Sequence, residues 1–202
     1  MKKRLILATN NKDKIFEISK ILDGLQIEIL SANDFDDFPD VEETGETLAE
    51  NATLKAVSVF AKYGLPCVAD DTGLEVDYLN GEPGVKSARF AGEGCSYADN
   101  NKKLLKLLEG VPTEMRSARF KTVIAFADFE GRIHTVEGIL DGIIADDRRG
   151  SYGFGYDPVF IVADKTIRLA EMPPEEKNRI SHRGRALEKI RPIILRAFKI
   201  DT

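Results

Sequence analysis

One stretch constrains the chain more than any other: Cys67-Val68-Ala69-Asp70-Asp71-Thr72-Gly73-Leu74. Three small or apolar residues run into two adjacent carboxylates, and a second apolar run with Leu74 and Val76 follows Thr72-Gly73. The pattern predicts a buried strand with an acidic pair at its tip, the Thr-Gly step turning the chain. Open α/β sheets place their ligands at strand ends. Two carboxylates there can hold a hard divalent cation through oxygen, and one of them can accept a proton from water. The competing reading is a solvated turn with a helix cap, which the tetrapeptide alone does not exclude. The other polar clusters of the chain tilt the balance towards a site.

A chain of 202 residues with 43% apolar residues has room for one large domain or two lobes. No apolar run approaches the roughly 18 residues of a membrane span. The start, Met1-Lys2-Lys3-Arg4-Leu5-Ile6-Leu7-Ala8, has too short an apolar run for a signal peptide and reads as a first strand. Cys67 and Cys95 match no metal spacing and no disulfide framework, so both are expected reduced in a cytoplasmic protein. A net charge of −5 argues against a nucleic-acid partner. The charges are unevenly placed, however. Residues 31–50 carry eight acids and no Lys or Arg, whereas residues 177–199 carry eight Lys or Arg and one acid, Glu188. This asymmetry suits a metal with a polyphosphate, although two solvated faces of opposite sign would give it too.

Along the chain, Arg4–Ala8 is a predicted strand, and Ile15, Ile18 and Leu22 recur at helical spacing from about Asp13. The junction Thr9-Asn10-Asn11-Lys12-Asp13-Lys14 can meet an anion with helix N–H groups and lysine charge, though it lacks the glycines of a P-loop. Thr47 and Glu50 form a capping-box pattern for a helix to about Tyr63, stopped by Gly64-Leu65-Pro66. Glu42 and Glu43 stand just before it, free to face a cleft or to complement the helix dipole. Lys55 lies near the helix's apolar side.

Asn80-Gly81 is a hairpin-turn signal. Tyr97–Leu108 reads as a helix with Leu104, Leu105, Leu107 and Leu108 on its apolar side. Segments 118–129 and 132–144 read as two long strands around Glu130-Gly131. In Ser151-Tyr152-Gly153-Phe154-Gly155-Tyr156-Asp157-Pro158, glycines between aromatics either let a flat ligand stack or simply pin a turn to the core. A helix from Pro174 breaks near Ser181-His182-Arg183-Gly184, and Pro192 is expected to kink the next helix or reset its start. His134 reads as an ordinary strand residue.

Six landmarks in order resemble the inosine triphosphate pyrophosphatase family. They are Thr-Asn-Asn-Lys (9–12), Glu-Glu-Thr-Gly-Glu-Thr-Leu-Ala-Glu-Asn-Ala (42–52), Ala-Asp-Asp-Thr-Gly-Leu (69–74), Ser-Ala-Arg (87–89), Phe-Gly-Tyr-Asp-Pro (154–158) and Ser-His-Arg-Gly (181–184). The resemblance spans residues 1–202 as a single domain. It implies an α/β fold with a long central mixed sheet flanked by helices, two lobes, a nucleotide cleft between them, and a homodimer. It implies hydrolysis of purine nucleoside triphosphates outside the standard set (ITP, dITP, XTP) at the α-phosphorus, giving the monophosphate and pyrophosphate and cleansing the nucleotide pool.

Residue by residue, it makes Thr9, Asn10, Asn11, Lys12, Asp13 and Lys14 a phosphate-gripping loop. Glu42 and Asp71 become the ligands of Mg2+ (or Mn2+), with Glu43 and Asp70 as alternatives, and Asp71 the general base. Lys55 is a phosphate contact and Thr72 touches the ligand. Phe154, Gly155, Tyr156 and Asp157 form the base-stacking loop, and Lys177, His182 and Arg183 read base and phosphate. A related pyrophosphatase of the septum-inhibition type shares only the N-terminal strand and loop. A nucleotide-binding module without turnover would not need the acidic pairs.

Overall fold

The computed structural model describes residues 3–200; Met1 and Lys2, at the start of the predicted first strand, lie outside the described residues. Seven strands form one mixed sheet: β1 (Arg4–Leu7), β2 (Glu28–Leu30), β3 (Cys67–Val76), β4 (Pro83–Gly84), β5 (Ser117–Ala127), β6 (Ile133–Ile144) and β7 (Phe160–Val162). Their order is β2-β1-β3-β5-β6-β7, with β4 paired to β3. Strand β1 is parallel to both β2 and β3, with Ile6 opposite Cys67, while β4 and β7 run antiparallel to β3 and β6. The five α-helices are α1 (Lys12–Ile21), α2 (Leu48–Tyr63), α3 (Tyr97–Leu107), α4 (Pro174–Ile180) and α5 (His182–Ala197). None of the described helices is long and apolar enough to cross a membrane. Cys67 and Cys95 are both free thiols.

The chain divides into two compact units, residues 1–71, 122–138 and 183–202 in the first, and 72–121 and 139–182 in the second. The first unit is built around Leu5, Leu7, Val68, Ile124 and Phe126 from strands, packed with Ile18 of α1, Leu22 just after it, and Leu187, Ile190 and Ile194 of α5. The core of the second joins Leu74 and Val76 to Leu104 of α3 and Leu108 just after it, to Phe120 and Phe160, and to Tyr156 and Met172.

Local signals fix most boundaries. Asn11 caps α1 by accepting from the N–H groups of Asp13 and Lys14. Thr47 and Glu50 close the predicted capping box on α2, and Gly64 ends that helix at φ +61°. Two expectations fail and a third is narrowed. Thr72-Gly73 does not turn the chain: β3 continues through it because β1 pairs the strand before the acids and β4 pairs it after them. The acidic pair is therefore inside a strand and not at its tip. Pro192 does not reset the start of a helix: it lies within α5, where burial of Leu187, Ile190 and Ile194 offsets the hydrogen bond that proline cannot make. Leu107 is exposed, and the buried side of α3 carries Asn100 and Asn101 with Leu104.

Asp128 secures the turn between β5 and β6. Its carboxylate accepts from the N–H groups of Glu130 and Arg132, from Arg132 Nε at 2.9 Å, and pairs with His134 Nε2 at 3.0 Å. Burial alone would push this carboxyl up, but the bonds from His134 and Arg132 outweigh it and hold it well below the usual range. A depressed carboxyl stabilises the fold above its unfolded value of about 3.9 and loses that contribution as pH falls. Urea titrations of wild type and Asp128→Asn should thus differ most near neutrality and converge as pH drops below about 4. A constant difference down to pH 3 would exclude this role.

Candidate active site

In the first unit, three basic residues and four acids meet around β3. Alternation along a strand sends successive side chains to opposite faces, and the two aspartates have separate partners. Asp70, fully buried, accepts from Arg183 Nε at 3.2 Å and Nη2 at 3.1 Å, and its Oδ2 lies 3.2 Å from Lys14 Nζ. Arg183 also binds Glu17 of α1. Asp71 instead meets α2: Lys55 Nζ lies 3.1 Å from its Oδ1, and Asn51 Nδ2 lies 3.3 Å from its Oδ2. Lys55 reaches Glu43 Oε1 as well, at 2.9 Å.

These settings give the neighbouring carboxyls opposite tendencies. Burial would raise Asp70, but Lys14, Arg183 and Lys55 overcome it and hold the group well below the carboxylate range. Burial pushes Asp71 up in spite of Lys55 and Lys14, and the charge of Glu43 adds to the rise. Lys55 outweighs burial at Glu43 and holds that carboxyl down. Lys14 is itself lowered by burial, and Lys55 is raised by Asp71, Asp70 and Glu43 against its own burial. Of the pair, Asp71 is the carboxyl whose protonated form its surroundings favour, and Asp70 is held as a negative charge.

The second unit holds the Gly-aromatic segment. Asp157 is buried, accepts the Phe154 N–H at 2.9 Å and binds Lys177 Nζ. The Lys177 ammonium sits 5.0 Å from the centre of the half-buried Phe154 ring, and the Tyr97 ring lies 5.8 Å from that ring between centroids. Tyr156 is a core residue whose hydroxyl donates to the Ser87 carbonyl at 2.9 Å. His182 is buried and stacks on Phe120, 4.6 Å between centroids.

The Ham1 family model matches residues 5–193. The chain belongs to the Ham1 family. A dITP/XTP pyrophosphatase of Geobacter sulfurreducens is 55% identical over 91% of this chain and 92% of its own length, and one from a Thermoanaerobacter species is 53% identical over 97% and 98%. The solved HAM1 protein of Coxiella burnetii superposes with a TM-score of 0.86 at 40% identity, covering 96% of this chain and 99% of that one. The Ham1 protein of Staphylococcus aureus gives 0.84 at 37% identity, over 95% and 98%. The mixed sheet with flanking helices is thus the fold of Ham1 structures.

Within this Ham1 chain the expected site residues fall into distinct settings. Lys14, Lys55, Asp70, Asp71 and Glu43 come together; Glu42 is exposed, so Glu43 is the member of its pair that faces Asp71. In the N-terminal loop, Asn10, Lys12 and Asp13 are exposed, Thr9 Oγ1 accepts the Asn11 N–H, and Asn11 is occupied as a cap. Thr72 is half-buried. The expected trio of Lys177, His182 and Arg183 is divided: Lys177 and His182 belong to the second unit, and Arg183 is buried against Asp70 and Glu17 in the first.

Sequence reasoning missed Asn51, Glu17, Tyr97 and Asn101. Asn51 is buried on α2, taking the Gly45 N–H on Oδ1 at 2.7 Å while donating to Asp71, so it ties the acidic loop to the strand. A polar residue in line with the apolar Leu48, Ala52 and Val59 was the available signal.

Gly153, at φ +70°, has no room for a side chain. A Cβ there would stand 2.1 Å from Asp157 Oδ2 and 3.1 Å from Lys177 Nζ. Gly153→Ala should therefore raise KM for a nucleotide substrate about tenfold by displacing the Lys177–Asp157 pair, roughly the loss of one charge-assisted hydrogen bond. An unchanged KM would remove the pair from the binding site.

Proposed function

We propose that this chain hydrolyses dITP and XTP, the substrates that the names of its relatives give, and ITP with them, to the monophosphate and pyrophosphate. The observation that carries the reading is Asp71, a buried carboxyl raised above its usual range, held between Lys55 and Asn51 beside Glu43. Water attacks the α-phosphorus, a P–O bond forms, and the bond to the pyrophosphate oxygen breaks. Asp71 takes the proton from that water at a carboxylate oxygen. Lys14 and Lys55 set positive charge against the triphosphate, where charge must be stabilised in the transition state.

Glu43 and Asp71 are hard oxygen donors and fit magnesium, which takes one or two carboxylates together with substrate phosphates. Among the described residues no group of three or more acids, His or Cys is placed to hold a metal unaided. Bound there, magnesium would neutralise charge on the triphosphate. Glu42, exposed beside Glu43, is the alternative donor of that pair.

The base is assigned to the Phe154–Asp157 turn. The Phe154 ring offers a stacking face, and the Lys177 ammonium beside it is a donor suited to the 6-keto oxygen of hypoxanthine or xanthine. Adenine places an amine donor there, and a site built from donors rejects it strongly. GTP shares the keto group, so a pocket that disfavours the 2-amino group is a second requirement. A cytoplasmic homodimer completes the reading, and light scattering on the purified chain measures that state. The decisive assay is a panel of dITP, ITP, XTP, GTP and ATP with magnesium, detecting phosphate and pyrophosphate separately. Pyrophosphate release from the first three and little from ATP is expected; phosphate release instead would overturn cleavage at the α-phosphorus.

A further inference from the structure

Position 101 is where α3 breaks its own pattern. It lies on the buried side of the helix, one turn before Leu104 and two before Leu108, where an apolar residue would continue the stripe. The chain has a fully buried asparagine there instead. Asn101 Nδ2 donates to the Tyr97 carbonyl at 2.7 Å and to the Gly155 carbonyl at 2.8 Å. Two carbonyl oxygens on one end fix the orientation of the amide, because the reverse would set Oδ1 against them. That Oδ1 is buried with no hydrogen-bond partner among the described residues. A buried acceptor left unmet is destabilising, so helix packing alone disfavours asparagine at this position. What asparagine supplies and leucine cannot is the donor to Gly155.

Gly155 is the left-handed residue of the turn, at φ +63°. The two residues after it are tied elsewhere, Tyr156 through its hydroxyl to Ser87 and Asp157 to Lys177. Asn101 is thus the tie from α3 to the residue whose backbone has most freedom. Tyr97, one turn earlier on the same helix, stands beside the Phe154 ring.

We propose that Asn101 is a positioning residue for nucleobase binding, fixing through the Gly155 carbonyl the turn that carries Phe154. The inference rests on the reading that this turn takes the base. Without the bond, the turn populates its binding conformation less often, and apparent affinity falls by that fraction. The chemical step at Asp71 is untouched, so the loss belongs in KM.

The test is steady-state kinetics with dITP, together with thermal denaturation, on Asn101→Leu and Asn101→Asp. Leucine restores the apolar stripe, and aspartate keeps the shape without a donor. Asn101→Ala, which adds neither bulk nor charge, serves if the others do not fold. Leu104→Ala, one turn along, controls for loss of packing alone, and Phe154→Ala tests the base-binding reading itself. The Asn101 variants should raise KM about tenfold with kcat within about threefold of wild type, whereas Leu104→Ala lowers the melting temperature and leaves KM unchanged. An unchanged KM in the Asn101 variants beside a raised KM in Phe154→Ala overturns the role of Asn101 and keeps the turn as the base site. An unchanged KM in Phe154→Ala removes the base from the turn, and the inference with it.

Discussion

Replacing Asp71 with asparagine is expected to lower turnover by about a hundredfold or more, the scale of losing a general base, while leaving the fold in place. The substitution keeps the shape of the side chain and removes its capacity to hold a proton. The environment shows why an amide is a poor stand-in. Asp71 faces two donors, Lys55 Nζ on one oxygen and Asn51 Nδ2 on the other. A carboxylate accepts from both; an asparagine accepts on one side only and sets its own NH2 against a donor on the other. Lys55 keeps its second partner, Glu43, so no cation is stranded in the core. Stability should fall far less than activity, and far less than in Asp70→Asn, which weakens a carboxylate that Arg183 and Lys14 share. The comparison needs kcat at saturating magnesium and a melting curve for each variant. A folded Asp71→Asn enzyme with near-normal kcat would sink the assignment of the base.

The parts of this molecule that were legible in the sequence are those decided locally. The limits of α2 follow from Thr47, Glu50 and Gly64, which lie within or next to the element they bound. The turn at Asn80-Gly81 needs positive φ at both residues, and both have it. What failed was decided by distant partners. Whether Thr72-Gly73 turns or continues depends on β1 and β4 pairing either side of it, and no local residue announces that. The division of labour between Asp70 and Asp71 follows from strand alternation once the strand is known to continue. Their partners, however, come from α1, α2 and α5, and Arg183 is 113 residues from Asp70 in the chain. Asn51 and Asn101 escaped notice because an asparagine in a helix looks solvated until the burial of its face is known. The Gly-aromatic segment was legible as a built turn, but which of its rings is available was not: Tyr156 belongs to the core and Phe154 is half-buried beside Tyr97 and Lys177.

Arg183→Ala should be the most destabilising single change in the first unit. The family resemblance implies a role for Arg183 in reading base or phosphate, but its guanidinium is almost wholly buried and bound to two carboxylates, Asp70 and Glu17. Arginine suits this place because its planar fork meets two acids at once. Its removal leaves a fully buried Asp70, with Lys14 and Lys55 as the cations that act on it, and a buried Glu17. Breaking a buried ion pair from one side costs about 3–5 kcal/mol. In a chain of this size each kcal/mol lowers the melting temperature by about 2–4 °C, so a fall of about 10 °C is expected. Arg183→Lys should recover part of it, since an ammonium can meet one carboxylate but cannot span both. Measured well below the new melting temperature, kcat/KM should drop for dITP and for ATP by the same factor, because Arg183 acts through Asp70 and the strand that carries Asp71. A selective loss on dITP, narrowing its ratio to ATP, would show instead that Arg183 leaves its carboxylates to read the base.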